Sequence, residues 1–101
     1  MPMTCIHAPE GLVFTVTGEM DHHGAKGLLS EIDGRLERNL SRSVVVDLSG
    51  VTFMDSSGIA VLLRIYRRAG EIGGLVTVRG TPEQAMKVLK AAGLPKLMKF
   101  E

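Results

Sequence analysis

The chain has 101 residues, 45% of them hydrophobic and 23% charged, with a formal net charge of +1. That size holds one hydrophobic core and no second domain. The interspersed acids and bases provide neither the basic field that holds a nucleic-acid backbone nor a polybasic segment for a membrane surface.

Met3 to Ala8 and Leu12 to Thr17 read as two strands, the second alternating Leu12, Phe14 and Val16, with Pro9-Glu10-Gly11 as the turn of a hairpin. The single cysteine, Cys5, allows no intramolecular disulfide and reads as a small buried hydrophobe. From Asp21 to Leu40, Leu28, Leu29, Ile32, Leu36 and Leu40 fit a helical stripe. Gly27 and Gly34 each cost that helix about 1 kcal/mol relative to alanine, so packing must hold it. Val44-Val45-Val46 and Leu48 form a short β-branched strand of the kind buried on both faces.

The next helix, ending near Gly70, places Ile59, Leu62, Leu63 and Tyr66 on one face and Arg64, Arg67 and Arg68 on the other. Those arginines are either a solvated face or a basic stripe for an acidic partner. A strand at Leu75–Val78 follows the Gly73-Gly74 turn. Thr81-Pro82-Glu83-Gln84 opens a third helix with a capping hydroxyl, proline at the first helical position and glutamine at the third. Gly93, Leu94 and Pro95 close it, Met86, Leu89 and Ala85 or Ala92 form its buried side, and Leu97 to Phe100 return as an edge strand. The order β-β-α-β-α-β-α-β implies an α/β fold with parallel crossovers, a mixed sheet of four to five strands and about three helices, in one domain spanning 1–101.

Chemistry concentrates at Asp55-Ser56-Ser57-Gly58, the hinge between strand region and second helix. The first turn of a helix has unpaired N–H groups and a partial positive charge, which stabilises an exposed anion by about 0.3–1 kcal/mol. Two readings stand: simple N-capping, or a serine that accepts phosphate without unfolding the helix. Asp21-His22-His23 likewise either caps the first helix with exposed imidazoles or forms a partner-binding loop beside the serines. A metal site is not expected, because adjacent histidines on a helix point about 100° apart and His7 lies in another element. A hydrolase built on Ser57 would need His22 or His23 as base, and the chain has no Gly-x-Ser-x-Gly elbow. No catalytic residue, metal ligand or cofactor is assigned. The few aromatics, Phe14, Phe53, Tyr66 and Phe100, offer little for base stacking. No apolar run approaches the about 18 residues that span a bilayer, and Met-Pro-Met-Thr-Cys lacks a basic region followed by an apolar one, so a cytoplasmic location is expected.

The run from Val44 through Asp55-Ser56-Ser57-Gly58-Ile59, with the upstream Thr17-Gly-Glu-Met-Asp-His-His, closely resembles the STAS-domain anti-sigma-factor antagonists of bacteria, most strongly the sporulation type. The resemblance covers nearly the full chain, through Ile72-Gly-Gly and Ala92-Gly-Leu. It implies a STAS-like sandwich and a partner switch: the unphosphorylated protein binds an anti-sigma factor that is also a serine kinase, and so frees the sigma factor. The phosphate position of the family carries over to Ser57, with Ser56 as the fallback, and a serine phosphatase would restore binding. ATP would be bound by the kinase. Asp21, His22, Met54, Asp55, Ser56, Ser57 and Gly58 are the expected contact residues. A non-switching scaffold or ligand-sensing module of the same family is the alternative. Relatives commonly continue beyond Phe100-Glu101 into another helix, so either a short form of the protein or a sheet with one less cover is expected.

Overall fold

The computed structural model describes residues 3–9, 11–38 and 42–101. The expected hairpin is β1 (Met3–Ala8) paired antiparallel with β2 (Gly11–Met20), in register from Met3 opposite Val16 to Ala8 opposite Gly11. Glu10 of its turn, and Leu40 of the first helical stripe, lie outside the described residues. β2 pairs in parallel with β3 (Ser43–Met54), β3 with β4 (Leu75–Arg79), and β4 with β5 (Lys99–Phe100), giving the sheet order β1-β2-β3-β4-β5. Parallel neighbours require crossovers, here α1 (His22–Arg38), α2 (Ser56–Gly70) and α3 (Glu83–Ala91), the last followed by a 3-10 turn at Leu94–Lys96. Because the strands are laid down in chain order, right-handed crossovers put all three helices on one face of the sheet.

Strand alternation then decides the core. Leu12, Phe14 and Val16 of β2, Val44, Val46 and Leu48 of β3, and Val76 and Val78 of β4 share one apolar cluster with Leu28, Ile32 and Leu36 of α1, Val61, Leu62 and Ile65 of α2, and Ala85 and Leu89 of α3. Val13 and Val45 alternate to the other face, outside that cluster, and are also buried. Cys5 packs partly buried against the core, and burial raises its thiol pKa, which suits a packing residue.

Four details differ from the sequence expectation. β3 runs twelve residues, well past Leu48, because β2 keeps pairing with it as far as Met20 opposite Met54. The buried stripe of α2 is Gly58, Val61, Leu62, Ile65 and Ala69, shifted from Ile59–Leu62–Leu63–Tyr66; Ile59 and Leu63 are only partly buried, and Tyr66 is exposed. This helix has more apolar surface than the sheet can cover.

The start of α3 also differs. Its N-cap is Pro82, whose carbonyl accepts from the Met86 N–H at 2.8 Å, while the Thr81 hydroxyl is buried with no hydrogen-bond partner and caps nothing. Gly93, at φ 78°, terminates the helix as expected, in a left-handed conformation that a side chain disfavours. Finally, the arginines of α2 are not uniformly solvated. Arg64 binds Asp33 of α1 through Nη2 at 2.6 Å and Nε at 2.9 Å, and Arg68 reaches Glu37 at 3.2 Å and Glu71 at 3.5 Å. The Arg64 hydrogen bond holds the Asp33 carboxyl below the usual carboxylate range.

Where β3 and β4 part company, Asp47 Oδ1 accepts from the Ser49 hydroxyl at 2.6 Å and the Ser49 N–H at 2.9 Å, and its Oδ2 accepts from Arg79 Nε at 3.2 Å. These bonds, the Ser49 hydroxyl first, lower the Asp47 pKa. A depressed folded-state pKa contributes stability above the unfolded value and loses it as pH falls through the folded one. Asp47→Asn is therefore expected to cost about 1 kcal/mol at neutral pH. Urea midpoints for wild type and variant should converge as pH falls through and below the ordinary carboxylate range; a gap that persists once the carboxyl is protonated would refute the assignment.

Candidate functional site

β2 and β3 end side by side, and each enters its helix through a single aspartate. The Asp55 N–H donates to the Met20 carbonyl at 3.2 Å, tying the two exits together. Asp21 Oδ1 accepts the Gly24 N–H at 2.9 Å, and Asp55 Oδ1 accepts the Ser57 N–H at 2.7 Å. Asp55 is extended, at φ −112° and ψ −165°, as an N-cap must be. The N-termini of α1 and α2 thus lie together, each with a carboxylate on an otherwise orphan N–H. Asp21 thus caps its helix, as one of the two sequence readings has it, and His22 lines a cavity together with Ser57.

The four residues of the corner divide into surface and support. Ser56 is exposed, Ser57 half-buried, and Gly58 buried. A Cβ on Gly58 would run into Met54 Cγ and fall 2.6 Å from Sδ and 2.9 Å from Cε, closer than real Cβ contacts come. Met54, expected among the contact residues, is fully buried. It lies beneath the loop and presents no surface; Phe53 beside it is exposed. The absence of a side chain at Gly58 lets α2 settle on Met54 as it stands; a methyl there would force the Met54 side chain to shift.

Two shallow cavities flank the serines. Ser57 opens on one of about 260 Å³, lined by His22, Ala25, Lys26, Leu29 and Ala60. Ser56 opens on another of about 380 Å³, lined by Leu29, Ile59, Ala60, Leu63, Arg64 and Arg67. Leu29 and Ala60 belong to both, so the cavities form one strip along the α1–α2 junction. The sequence spacing predicts Leu29, Ile59 and Leu63 as part of the core stripes, and they pack only partly buried against the core. The available signal was their number: α2 carries a wider apolar face than one sheet contact uses.

Among the described residues no three His, Cys, Asp or Glu side chains gather where a metal could sit, and no helix is long and apolar enough to cross a membrane. The geometry serves presentation: two hydroxyls at a capped helix start, beside a partly apolar strip.

A chain-ordered mixed sheet with its helices on one face defines a small α/β domain with two serines at the start of its second helix. The family model for the STAS domain matches residues 3–101, and the chain belongs to that family, whose antagonist members are regulatory binding proteins rather than enzymes. The chain is 31% identical over 87 residues to a protein of Paenibacillus polymyxa named anti-sigma F factor antagonist, covering 86% of this chain and 74% of that one. Its fold is similar to that of the anti-sigma factor antagonist SpoIIAA in its unphosphorylated form, with a TM-score of 0.83 and 21% identity over 99% of this chain and 88% of the other. The phosphorylated form of SpoIIAA, a Bacillus cell-fate determinant, gives a TM-score of 0.74 and 22% identity over 99% of this chain and 91% of the other.

Proposed function

We propose that this protein is a cytoplasmic, single-domain anti-sigma-factor antagonist that works by partner switching. Unphosphorylated, it binds an anti-sigma factor with serine kinase activity and releases the sigma factor that the kinase holds. Phosphorylation at Ser57 ends the binding, and a serine phosphatase restores it. The observation that carries this reading is the serine pair at the Asp55-capped start of α2, opening on the strip through Leu29, Ile59, Ala60 and Leu63. The relative named anti-sigma F factor antagonist supports the partner class, and the occurrence of SpoIIAA in both phosphorylation states supports the switch.

In this reading Asp21, His22, Asp55, Ser56 and Ser57 form the polar part of the contact, and Leu29, Ile59 and Leu63 the apolar part. Met54 and Gly58 act from beneath by fixing the height of the serines. A contact of mixed composition at a helix start is well suited to control by phosphate, because the added charge and bulk fall within the desolvated interface.

The test is intact-mass and peptide mass spectrometry after incubation with the host's anti-sigma kinase and ATP, with Ser56→Ala and Ser57→Ala controls. One phosphate, lost only in Ser57→Ala, is expected. Loss only in Ser56→Ala would move the acceptor by one residue. No phosphate, with the kinase active on another substrate, would refute the switch and favour a scaffold whose serines only cap a helix.

A further inference from the structure

β4 follows β3 only from Ser43 opposite Leu75 to Asp47 opposite Arg79. Beyond Asp47, β3 runs on to Met54 with β2 on one side and no β4 on the other. Backbone groups on such an edge need partners. At Met54 a side chain provides both: the Met54 N–H donates to Gln84 Oε1 at 2.8 Å, and Gln84 Nε2 donates to the Met54 carbonyl at 2.8 Å. A carboxamide is suited to this, since it carries one donor and one acceptor in a single plane, as a neighbouring strand would. Met54 is thereby held on three sides: by Gln84 from α3, by its pairing with Met20 of β2, and by Gly58 of α2 above its side chain.

We infer that Gln84 is a positioning residue for the serine corner: its paired hydrogen bonds to Met54 set where Asp55, Ser56 and Ser57 stand, and so tie α3 to the binding site. Gln84 occupies the second position of α3, where a capping role for it would point back to Thr81; it reaches instead across to β3. Its effect on partner binding rests on the function proposed above. Its effect on the corner does not.

The experiment is amide hydrogen exchange on the isolated protein, comparing wild type with Gln84→Ala and Gln84→Glu, together with affinity for the anti-sigma kinase. Gln84 is at the surface, so both variants are expected to fold. In Gln84→Ala, exchange at Met54, Asp55 and Ser57 should rise by more than the about tenfold that lost hydrogen-bond strength produces at Phe14 and Val46 in the sheet, because the Met54 N–H is left without its acceptor. Glutamate at neutral pH has two acceptors and no donor for the Met54 carbonyl, so Gln84→Glu should match the alanine variant at pH 7. At about pH 4 its protonated carboxyl again has one donor and one acceptor, and its exchange relative to wild type should recover.

Uniform loss of protection, no change at the corner, or a Gln84→Glu effect that ignores pH would overturn the positioning role. Affinity for the kinase should fall about tenfold in Gln84→Ala, at temperatures well below a melting point lowered by about 5–10 °C. A loosened corner with unchanged affinity would overturn the link to binding. If wild type itself fails to bind the kinase, the proposed function falls, and the exchange ratios still decide what Gln84 does.

Discussion

Phosphate on Ser57 is expected to lower affinity for the anti-sigma partner more than about a hundredfold while leaving the far-ultraviolet circular dichroism unchanged. A penalty of only about 3 kcal/mol suffices for that factor. The phosphate adds about −1.5 to −2 charges and three acceptor oxygens next to the Asp55 carboxylate, inside a surface that must be desolvated on binding. The same charge is tolerated by the free protein, because it sits in the first turn of α2, where the helix dipole favours anions. Ser57→Ala should bind constitutively, and Ser57→Asp, with one charge, should bind poorly but less poorly than the phosphoprotein. Titration of each form against the kinase by calorimetry gives the result directly. Equal affinities for Ser57→Ala and Ser57→Asp would rule out local charge as the mechanism.

The largest stability change is expected beneath that corner. Met54→Ala empties a fully buried site and should cost about 2–5 kcal/mol. Gly58→Ala alone should cost about 1–3 kcal/mol, because the new methyl displaces Met54 from a filled core. The combination is the informative case. With the Met54 side chain gone, the methyl enters vacated space and alanine's helix preference, up to about 1 kcal/mol, is no longer opposed. Gly58→Ala should then turn neutral or stabilising, a sign change readable as a non-additive double-mutant cycle in urea unfolding. Simple additivity would mean that the two residues do not compete for one space.

Both arguments use residues whose roles were only partly visible in the sequence. The identity and order of the elements were legible because alternation in Leu12-Phe14-Val16 and the helical spacing of Leu28, Ile32 and Leu36 each bury one face, and burial is what spacing reports. The extent of β3 was not, since Ser49, Gly50 and Thr52 break the alternation in a stretch held by β2. The one-residue rotation of α2 was hidden by an excess of apolar side chains: spacing shows that a face exists, and packing decides which part of it is covered. At the site, Asp55 as a cap was readable from residue type. Met54 as a buried support was not, because its burial depends on a missing Cβ four residues later. The Gln84 connection joins positions thirty residues apart, and no local pattern encodes it.

Asp55 alone separates the last residue of β3 from the first of α2. That leaves no slack: the corner has no spare length with which to fold a modified serine away or to swing it out for an enzyme. In the switch proposed above, a phosphate written there would be recorded without moving the chain and erased without refolding it. The lifetime of either state would then be set by the enzymes that write and erase it, and the protein itself would contribute no clock.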